Sequence, residues 1–493
     1  MGSTLSGYAR SPSASSKKGR KRALNEDESD DESEANQVLH TPQRKKMKST
    51  SKYIYNALFV NGENSDITIH ALGKHWPLHK IYLCQSSYFA SMFSGSWRES
   101  KLTEIDIDVP DTNIDIEALQ IALGSLYRDD VLLEPVKVVS VLAAASLLQL
   151  EGLIQQCADI MTETISPKTV CSYHSAATSY GLQQVAKSCF EWLELNLMVA
   201  QKPTLLRELS CELFEKVIQS PNLFVLQVEM DVYSMVKKYV FLKLTPSWQG
   251  DTKMLGREAD KFFRRYDAGA FLKSDLGAPY ARLFAVLRLG SIINEPSSCR
   301  HVEDDKIIMQ DFLLPVYRQQ WQHMLAVEHG QDLGPKEETV STDQFDQLSM
   351  RCGRIIKKDA EYCWRWTGFN FGVDLLVTFT NRLIILRRNT GTHPVTASVS
   401  LQNSRNIMFR IRVISYDSQG QILYQKLSEL TPLSLHKDEE IVVLNIDRHA
   451  PFPMQIGVNV MCVTPPQPVV ETAESLTLQP PTPRQQQLSG QDE

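Results

Sequence analysis

The sequence predicts a multidomain protein in which an α/β unit, an all-helical region and an antiparallel β-domain follow one another between two disordered tails. Its 493 residues are too many for a single hydrophobic core. Apolar residues alternate in short runs up to about residue 110, recur at helical spacing from 114 to 325, and alternate again from 343 to 465. The two ends lack any such periodicity, which is typical of disordered segments.

The composition is that of a soluble globular protein, with 42% hydrophobic and 22% charged residues. A net charge of −6 is too small to attract the whole chain to nucleic acid or membrane. No apolar run reaches the roughly 18 residues of a spanning helix, and no apolar signal segment begins the chain. Nine scattered cysteines without a CxxC pair predict free thiols in a reducing compartment.

The N-terminal tail, residues 1–50, carries two basic clusters on either side of the acidic run "EDESDDESE". Runs of Lys and Arg of this size are typical of nuclear import signals, although a solvated tail is the simpler alternative. Within the acidic run, Ser29 lies in a weak acidic-directed kinase pattern. The residues of the candidate import signal are Lys17, Lys18, Arg20, Lys21 and Arg22 in the first cluster, and Arg44, Lys45, Lys46 and Lys48 in the second.

The first six residues, "MGSTLS", fit the pattern for N-terminal myristoylation, in which Gly2 becomes the acceptor after removal of Met1. A pattern this short also arises by chance. One acyl chain binds a membrane only marginally, and the basic cluster at 17–22 could supply the second signal. The sequence therefore leaves open a membrane contact through this terminus.

The α/β unit is predicted at residues 51–162. "SDITIHAL" alternates as a half-buried strand, and "HWPLHKIYLCQSSYFASMF" reads as a short strand followed by a helix. "EIDIDVP" is a third strand, which Pro110 ends. Helical patterns follow at 114–127 and from 136 to about 164.

The all-helical region is predicted at 163–327, with helices at 182–199, 204–218 and 226–244 and further helices through 325. Ser166 and Pro167 predict a helix start, and Gly181 predicts a helix end. Residues 328–342 are polar with two Gly and one Pro, which predicts a linker.

The β-domain is predicted at 343–465. "DLLVTFT" and "LIILRR" flank Asn381-Arg382, and "FRIRVISY" and "QILYQKL" flank a Gly-containing turn, so each pair predicts a hairpin. "EIVVLNI" and "GVNVMCV" add strands. The Pro/Gln-rich tail at 466–493 is predicted to be disordered.

Enzyme chemistry is not predicted, because the chain carries none of the common phosphate-loop, dinucleotide, nucleophile-elbow or zinc-protease motifs. No cofactor is expected. His70, His75, His79 and Cys84 are the one group that could suggest a metal, but they fall on a strand, a turn and a helix start and lack the tight pairing of structural zinc ligands. We therefore expect no metal site.

The segment "RCGRIIKKDAEYCWRWTGFNFG" is rich in arginine and aromatic residues. It predicts either the core of the β-domain or a binding surface, since both use large rings. On the second interpretation, the substrate-binding candidates are Trp364, Arg365, Trp366 and Arg382. Lys and Arg only slightly outnumber Asp and Glu in this domain, so direct nucleic-acid binding is not expected.

The order of these motifs resembles a known family. "SDITI", "LHKIYLCQSSYFASMFSGSWRES", "EIDIDVPD" and "VVSVLAAASLLQLEGLIQQCADIM" resemble a BTB/POZ domain, with Asp66, His79 and Lys80 at its signature positions. Residues 163–245 resemble the BACK helices that follow many such domains. Together with "EYCWRWTGFNFG" and "DLLVTFTNR", the chain is similar to the germ cell-less family from about residue 40 to 465.

The resemblance implies a homodimeric, non-catalytic substrate adaptor of a cullin-3 ubiquitin ligase, acting in germ cell development and spermatogenesis. In this family a hydrophobic–x–Glu motif docks the cullin, and here it is Trp97-Arg98-Glu99, with Trp97 larger than the usual Met or Leu. Tyr127 matches an aromatic that faces the cullin in relatives. The segment "YIYNALF" (53–59) is expected to pack across the dimer, and the β-domain to capture the substrate protein.

Two other functions remain open. The chain could be a nuclear-envelope or nuclear-matrix scaffold or transcriptional co-repressor, with nuclear-envelope proteins as partners, which its import signals and candidate lipid also fit. An enzyme without a local motif is the third class. For the motif itself, the alternative is that Trp97 folds back on its own domain and Glu99 is solvated.

Overall fold

The computed structural model describes residues 50–94, 98–128, 131–266, 269–329, 334–369, 373–388, 403–417, 422–437 and 439–465. It confirms the multidomain architecture of an α/β unit, a helical region and an antiparallel β-domain. The two tails predicted to be disordered lie outside the described residues. Within the described ranges, no helix combines the length and apolar character needed to cross a membrane.

The N-terminal unit contains a three-stranded sheet in the order β2-β1-β3, formed by β1 (Ile67–Ala71), β2 (Lys74–Leu78) and β3 (Glu104–Asp106). The alternation in "ITIHA" buries Ile67, Ile69 and Ala71 on one face, as predicted. The helices of this unit are α1 (Thr50–Ile54), which continues as a π-helical turn (Tyr55–Val60), α2 (Lys80–Leu83), α3 (Ser87–Phe93), α4 (Ile116–Ser125), α5 (Val138–Leu147) and α6 (Glu151–Glu163), with a 3-10 turn at Arg98–Lys101.

The helical region continues the same hydrophobic core without a break. Its α-helices are α7 (Val170–Ser179), α8 (Gln183–Ala200), α9 (Pro203–Glu208), α10 (Cys211–Gln219), α11 (Glu229–Leu244), α12 (Leu255–Arg264), α13 (Ala281–Ala285), α14 (Leu289–Ile292), α15 (Pro296–Asp304) and α16 (Gln310–Glu328), with 3-10 turns at Thr252–Met254, Phe271–Lys273 and Ala278–Tyr280.

Two helix boundaries differ from the prediction. The pattern from 136 to 164 is two helices, α5 and α6, because Gln149 adopts a left-handed conformation (φ 51°) between them. The helix expected at Pro167 begins only at Val170. The hydroxyl of Thr169 instead accepts from the Ser166 amide and donates to the Thr164 carbonyl, so this segment closes a turn.

The C-terminal unit begins with α17 (Thr342–Leu348) and is otherwise a sandwich of two antiparallel sheets around one core. The five-stranded sheet has the order β10-β8-β12-β4, with β9 also paired to β8; the other has the order β11-β7-β6-β5. The strands are β4 (Met350–Ile356), β5 (Tyr362–Phe369), β6 (Val373–Thr380), β7 (Leu383–Arg388), β8 (Ser404–Tyr416), β9 (Ile422–Leu427), β10 (Thr431–His436), β11 (Glu440–Asn445) and β12 (Met454–Cys462).

Both predicted hairpins are present, β6–β7 and β8–β9. The first turns at Asn381 and Arg382, which both have positive φ (48° and 64°), as a two-residue hairpin turn requires. The segment predicted as a linker is partly ordered by hydrogen bonds. It contains a 3-10 turn at Glu337–Thr339, and the Glu337 amide donates to the carbonyl of Thr464.

A buried ion pair joins the helical region to the sandwich. The guanidinium of Arg351, on β4, donates to both carboxylate oxygens of Glu229 at the start of α11, at 2.8 and 2.9 Å. It also donates to the carbonyls of Ile218 (2.6 Å) and Ser220 (2.7 Å). Arg351 is 1% exposed and Glu229 0%, so neither charge has access to water. Such a bidentate pair fixes orientation as well as distance.

Further contacts close the same junction. Arg288 lies 3.8 Å from Glu229 and donates to the carbonyls of Asp346 and Ser349. Burial and the nearby Arg351 lower the pKa of Arg288 to about 9, so it stays charged at neutral pH. A Cβ at Gly353 would lie 2.4 Å from the carbonyl oxygen of Val225, so the β4 backbone approaches the helical region where only glycine fits.

Burial alone would raise the pKa of Glu229, but Arg351 and Arg288 outweigh it and hold this pKa below its ordinary value. The pair therefore stabilises the fold fully above the ordinary carboxyl pKa, and the stabilisation is lost as pH falls below it.

We predict that Glu229→Ala lowers the free energy of unfolding by about 3–5 kcal/mol, because it leaves Arg351 buried without its counter-charge. Arg387→Ala removes an exposed ion pair with Glu440 within the sandwich and should cost under about 1 kcal/mol. Urea unfolding of the full chain measures both. Equal effects of the two substitutions would contradict the role given to the buried pair.

Candidate docking site

The signature residues of the N-terminal unit form a connected hydrogen-bond network. The carboxylate of Asp66 accepts from the backbone amide of Lys80 at 2.8 Å, which ties the start of β1 to the start of α2. The amide of Asp66 in turn donates to the carbonyl of Leu78. Asp66 therefore fixes the corner at which β2 passes into α2.

His79 extends this network into the interior. Its backbone amide donates to the hydroxyl of Tyr127 at 2.9 Å, and its ring nitrogens lie 3.3 Å from the same hydroxyl (Nδ1) and 2.9 Å from the carbonyl oxygen of Glu63 (Nε2). These contacts fit a ring that carries its proton on Nε2, donates to Glu63 and accepts from Tyr127. Burial raises the pKa of Tyr127, so its hydroxyl keeps the proton that it donates.

Lys80 connects the network to the segment that carries the hydrophobic–x–Glu motif. Its ammonium donates to the carbonyls of Ser100 (3.1 Å) and Leu102 (3.0 Å) and lies 5.3 Å from the centre of the Phe93 ring. The segment from the end of α3 to β3 is thus held at both ends by one cation. This role of Lys80 was not predicted from the sequence, which placed it only as a signature residue.

The motif itself is described in part. Trp97 lies outside the described residues, whereas Arg98 and the backbone of Glu99 belong to the 3-10 turn Arg98–Lys101. Arg98 and Lys101 are exposed, and Leu102 is 47% exposed directly after the turn. The turn that carries Glu99 therefore lies at the surface beside an exposed apolar side chain.

Tyr127 does not lie where the resemblance places it. Its side chain is 3% exposed, and its ring stacks on Tyr82 at 4.4 Å between centroids. Its hydroxyl is engaged by His79, so the ring is an internal support. The half-buried Tyr82 covers it and is the aromatic ring that this stack offers to the surface.

Other large apolar side chains of this unit are exposed. Tyr53 is 69% exposed and Val60 57% in the first helical segment, and Ile81 is 79% exposed in α2. Large apolar side chains at this exposure are typical of interfaces when they are grouped. The segment predicted to cross a dimer, 53–59, contributes only Tyr53 to these exposed side chains, because its Ala57 and Phe59 are buried in the core of this unit.

The aromatic candidates of the β-domain are mostly core residues. Trp364 is 8% and Trp366 3% exposed, and their rings meet edge to face at 5.6 Å inside the sandwich. Arg382 donates to the carbonyls of Asp447 and Ala450 and pairs with Asp359 at 3.3 Å. Arg365 alone among the four is exposed. Of the two predictions for this aromatic segment, the core of the β-domain applies to the tryptophans, because alternate residues of β5 face inward.

The histidines considered as metal ligands do not converge. The rings of His70 and His75 face each other across β1 and β2, while the His79 ring is bound to Glu63 and Tyr127. In the described part of the chain, the acidic and histidine side chains close enough to share an ion are those of Asp260, His301 and Asp305. The buried ammonium of Lys237 already lies between these groups, at 2.5 to 3.0 Å.

Gly2 and the two basic clusters, 17–22 and 44–48, lie outside the described residues. Their roles in lipidation and nuclear import remain predictions.

The chain is similar in sequence to known proteins. A model of the BTB/POZ domain matches residues 55–165. The chain is 53% identical to germ cell-less protein-like 1 of Mus musculus over 437 residues, which cover 88% of this chain and 83% of that protein. It is 52% identical to germ cell-less protein-like 1 of Homo sapiens, over 88% of this chain and 84% of the relative. It is 36% identical to protein germ cell-less of Drosophila melanogaster, over 86% and 79% respectively.

We predict that Lys80→Met releases the turn at Arg98–Lys101, because it keeps the apolar stem near Phe93 but removes the donor to Ser100 and Leu102. Loss of two charged hydrogen bonds should cost about 2–4 kcal/mol locally. Hydrogen exchange of peptides covering 98–102 should become faster. Lys101→Met, at an exposed position of the same turn, is the matched control. Faster exchange in the control alone would contradict the role of Lys80 in holding this turn.

Proposed function

The chain belongs to the germ cell-less family of BTB/POZ proteins, and on this basis we propose that it is a non-catalytic adaptor that brings substrate proteins to a cullin-3 ubiquitin ligase. BTB domains generally mediate dimerisation and partner binding. The observation that carries the proposal is the surface turn of Glu99, which Lys80 anchors through the carbonyls of Ser100 and Leu102. A pre-ordered turn loses little conformational entropy when a partner binds it.

Trp97 and Glu99 would make the specific contacts of this turn. A tryptophan supplies a large, rigid anchor for a pocket on the partner, and a carboxylate fixes the register through charge-assisted hydrogen bonds. The exposed Leu102 extends the apolar contact. Tyr127 would contribute indirectly, because its ring is buried and stacks on the half-buried Tyr82.

The dimer would cover exposed apolar side chains of this unit, for which Tyr53, Val60 and Ile81 are candidates. Covering these side chains removes apolar area from water, which favours association. A dimeric adaptor presents two cullin sites and two substrate sites. Tethering in this way increases the effective concentration of each partner.

The substrate protein would be captured by the C-terminal sandwich and its junction with the helical region. The buried Glu229–Arg351 pair holds this unit in a fixed orientation to the helical region, whose core is continuous with that of the BTB domain. Because Trp364 and Trp366 are core residues, they support this unit and would not contact the substrate. Germ cell development and spermatogenesis are the setting that we propose from the family name.

A second candidate function is a scaffold or transcriptional co-repressor at the nuclear envelope or matrix, which uses the dimer without ubiquitin transfer. The two basic clusters and the Gly2 pattern favour it, because they address the chain to the nucleus and to a membrane surface. Cullin binding separates the two functions.

We predict that the double variant Trp97→Ala/Glu99→Lys loses affinity for the cullin-3 N-terminal region by roughly thirtyfold or more, equivalent to about 2 kcal/mol. Its melting temperature should stay within a few degrees of the unmodified chain, because surface changes rarely exceed about 0.5 kcal/mol. Titration by calorimetry and thermal unfolding measure the two quantities on the same samples.

The matched control for charge reversal is Glu163→Lys, at an exposed glutamate that ends α6. It should bind the cullin as the unmodified chain does, and light scattering should find every variant dimeric. Unchanged affinity in the double variant, or a Trp97→Ala chain destabilised by about 3–5 kcal/mol as for a core ring, would overturn the docking assignment.

We predict that replacing both basic clusters, Lys17–Arg22 and Arg44–Lys48, by alanine leaves a fluorescently tagged chain in the cytoplasm, because the import receptor loses its cationic ligand. Gly2→Ala should reduce only a rim-associated pool, since one acyl chain contributes marginal membrane affinity. Microscopy with each cluster replaced singly gives the control. Nuclear accumulation of the double variant would exclude these clusters as the import signal.

A further inference from the structure

A cleft of about 430 Å³ opens where the helical region, α17 and the sandwich meet. Its walls are the 286–291 segment, the C-terminal half of α16, and residues of β4 and β12. This volume lies within the range of sites that bind ligands, roughly 300–1,000 Å³, and such sites are common between domains. The cleft takes no part in the docking site described above.

Two polar atoms in the lining are buried without a hydrogen-bond partner in the described part of the chain: Oε1 of Gln320 and Nδ1 of His323. The amide nitrogen of Gln320 donates to the carbonyl of Gly290 at 2.7 Å, which fixes the orientation of that amide. Buried polar atoms are nearly always satisfied, so a molecule that fills the cleft can supply the partners of these two atoms. Both residues lie on one face of α16, at i and i+3.

The cleft is preformed. Arg288, in its lining, donates to the carbonyls of Asp346 and Ser349 and pairs with Glu229, so it ties the helical wall to the wall formed by α17 and β4. Because Glu229 is 0% exposed, water does not screen its interaction with Arg288. A preformed site does not spend binding energy on ordering its walls.

The lining selects an uncharged ligand. Arg288 is the one permanently charged residue among the described residues that line the cleft, and it shares the carboxylate of Glu229 with Arg351. Burial lowers the pKa of His323 below its ordinary value, so the ring is neutral at pH 7. Both terminal nitrogens of Arg288 already donate to the backbone carbonyls of Ser349 and Asp346, so the lining favours an uncharged ligand over a phosphate or a carboxylate.

The apolar part of the lining accepts aliphatic side chains. Leu287, Met350 and Met461 are almost fully buried at the cleft, whereas Leu348 at the end of α17 is 56% exposed. Methionine side chains adapt to ligands of different shape. An exposed leucine next to buried apolar residues gives a partner an apolar contact at the entrance.

We propose that this cleft binds a short, uncharged, extended peptide of the substrate protein, with an aliphatic side chain inserted beside Met350 and Met461 and backbone amide groups paired with Gln320 and His323. An extended backbone offers N–H donors and C=O acceptors at regular intervals, which match a fixed amide oxygen and a neutral imidazole. The inference rests on the proposed adaptor function for the origin of the peptide. It places substrate capture at the junction between the helical region and the sandwich.

The test selects peptides from a phage-displayed random library on the full-length chain and measures the affinity of the synthetic, labelled peptides by fluorescence anisotropy. We expect neutral peptides with an aliphatic residue. Leu348→Arg and Gln320→Leu should each weaken binding by about tenfold or more. Leu314→Arg is the matched control, since Leu314 is 59% exposed on the same helix as Gln320 but is not part of the cleft, and it should change affinity by less than about twofold.

Three results would overturn the inference: selected peptides that bind Leu348→Arg as tightly as the unmodified chain, a selection that yields only strongly charged peptides, or a synthetic peptide of residues 466–493 that competes in a Leu348-dependent manner. The last result would make the chain's own tail the occupant. Thermal unfolding of each variant separates lost binding from lost folding.

The same variants are titrated with the cullin-3 N-terminal region. Leu348→Arg should bind the cullin as the unmodified chain does, which supports two separate sites. If the unmodified chain fails to bind the cullin, the adaptor function and the substrate origin of the peptide are overturned, while the anisotropy measurement still decides whether the cleft binds peptides.

Discussion

The buried pair of Glu229 and Arg351 is the interaction on which the arrangement of the molecule depends. Two charges removed from water are tolerated only when geometry is good and every remaining donor is satisfied. Here the guanidinium binds both carboxylate oxygens and two backbone carbonyls, so one relative position of helical region and sandwich satisfies all of them. Positions displaced by a few ångströms would leave a charge unpaired. The junction is therefore specific, and the cleft beside it has a defined shape.

The N-terminal unit uses the same principle at smaller scale. Asp66, His79 and Lys80 contact backbone atoms of their own chain, and through them they position α2, the Tyr82–Tyr127 stack and the turn after α3. Residues that mark a family in sequence need not touch its partners. In this domain they determine where the turn that we propose as the docking segment begins and ends.

The sequence predicted those features that depend on local periodicity and turn chemistry. The β6–β7 hairpin followed from alternation around Asn381-Arg382. The helix end was predicted from the glycine at 181, which adopts the left-handed conformation (φ 79°) just after the helix that ends at Ser179. It could not predict the Glu229–Arg351 pair, whose members are 122 residues apart, or the cleft, whose lining comes from segments far apart in the sequence. The aromatic pattern of β5 did not decide whether its rings lie in the core or at the surface. Alternation shows that the rings share one face of the strand, but only the position of the facing sheet shows that this face is buried.

The close approach at Gly353 has a consequence for how such proteins can diversify. No side chain fits between the β4 backbone and Val225, and the buried Arg351 lies two residues before Gly353 on the same strand. The sandwich is therefore not an independent module that could be exchanged for another domain behind the same helices. Any replacement would have to supply both a counter-charge for Glu229 and a glycine at this spacing. Substitutions in the cleft leave both of these requirements intact, whereas recombination of whole domains does not.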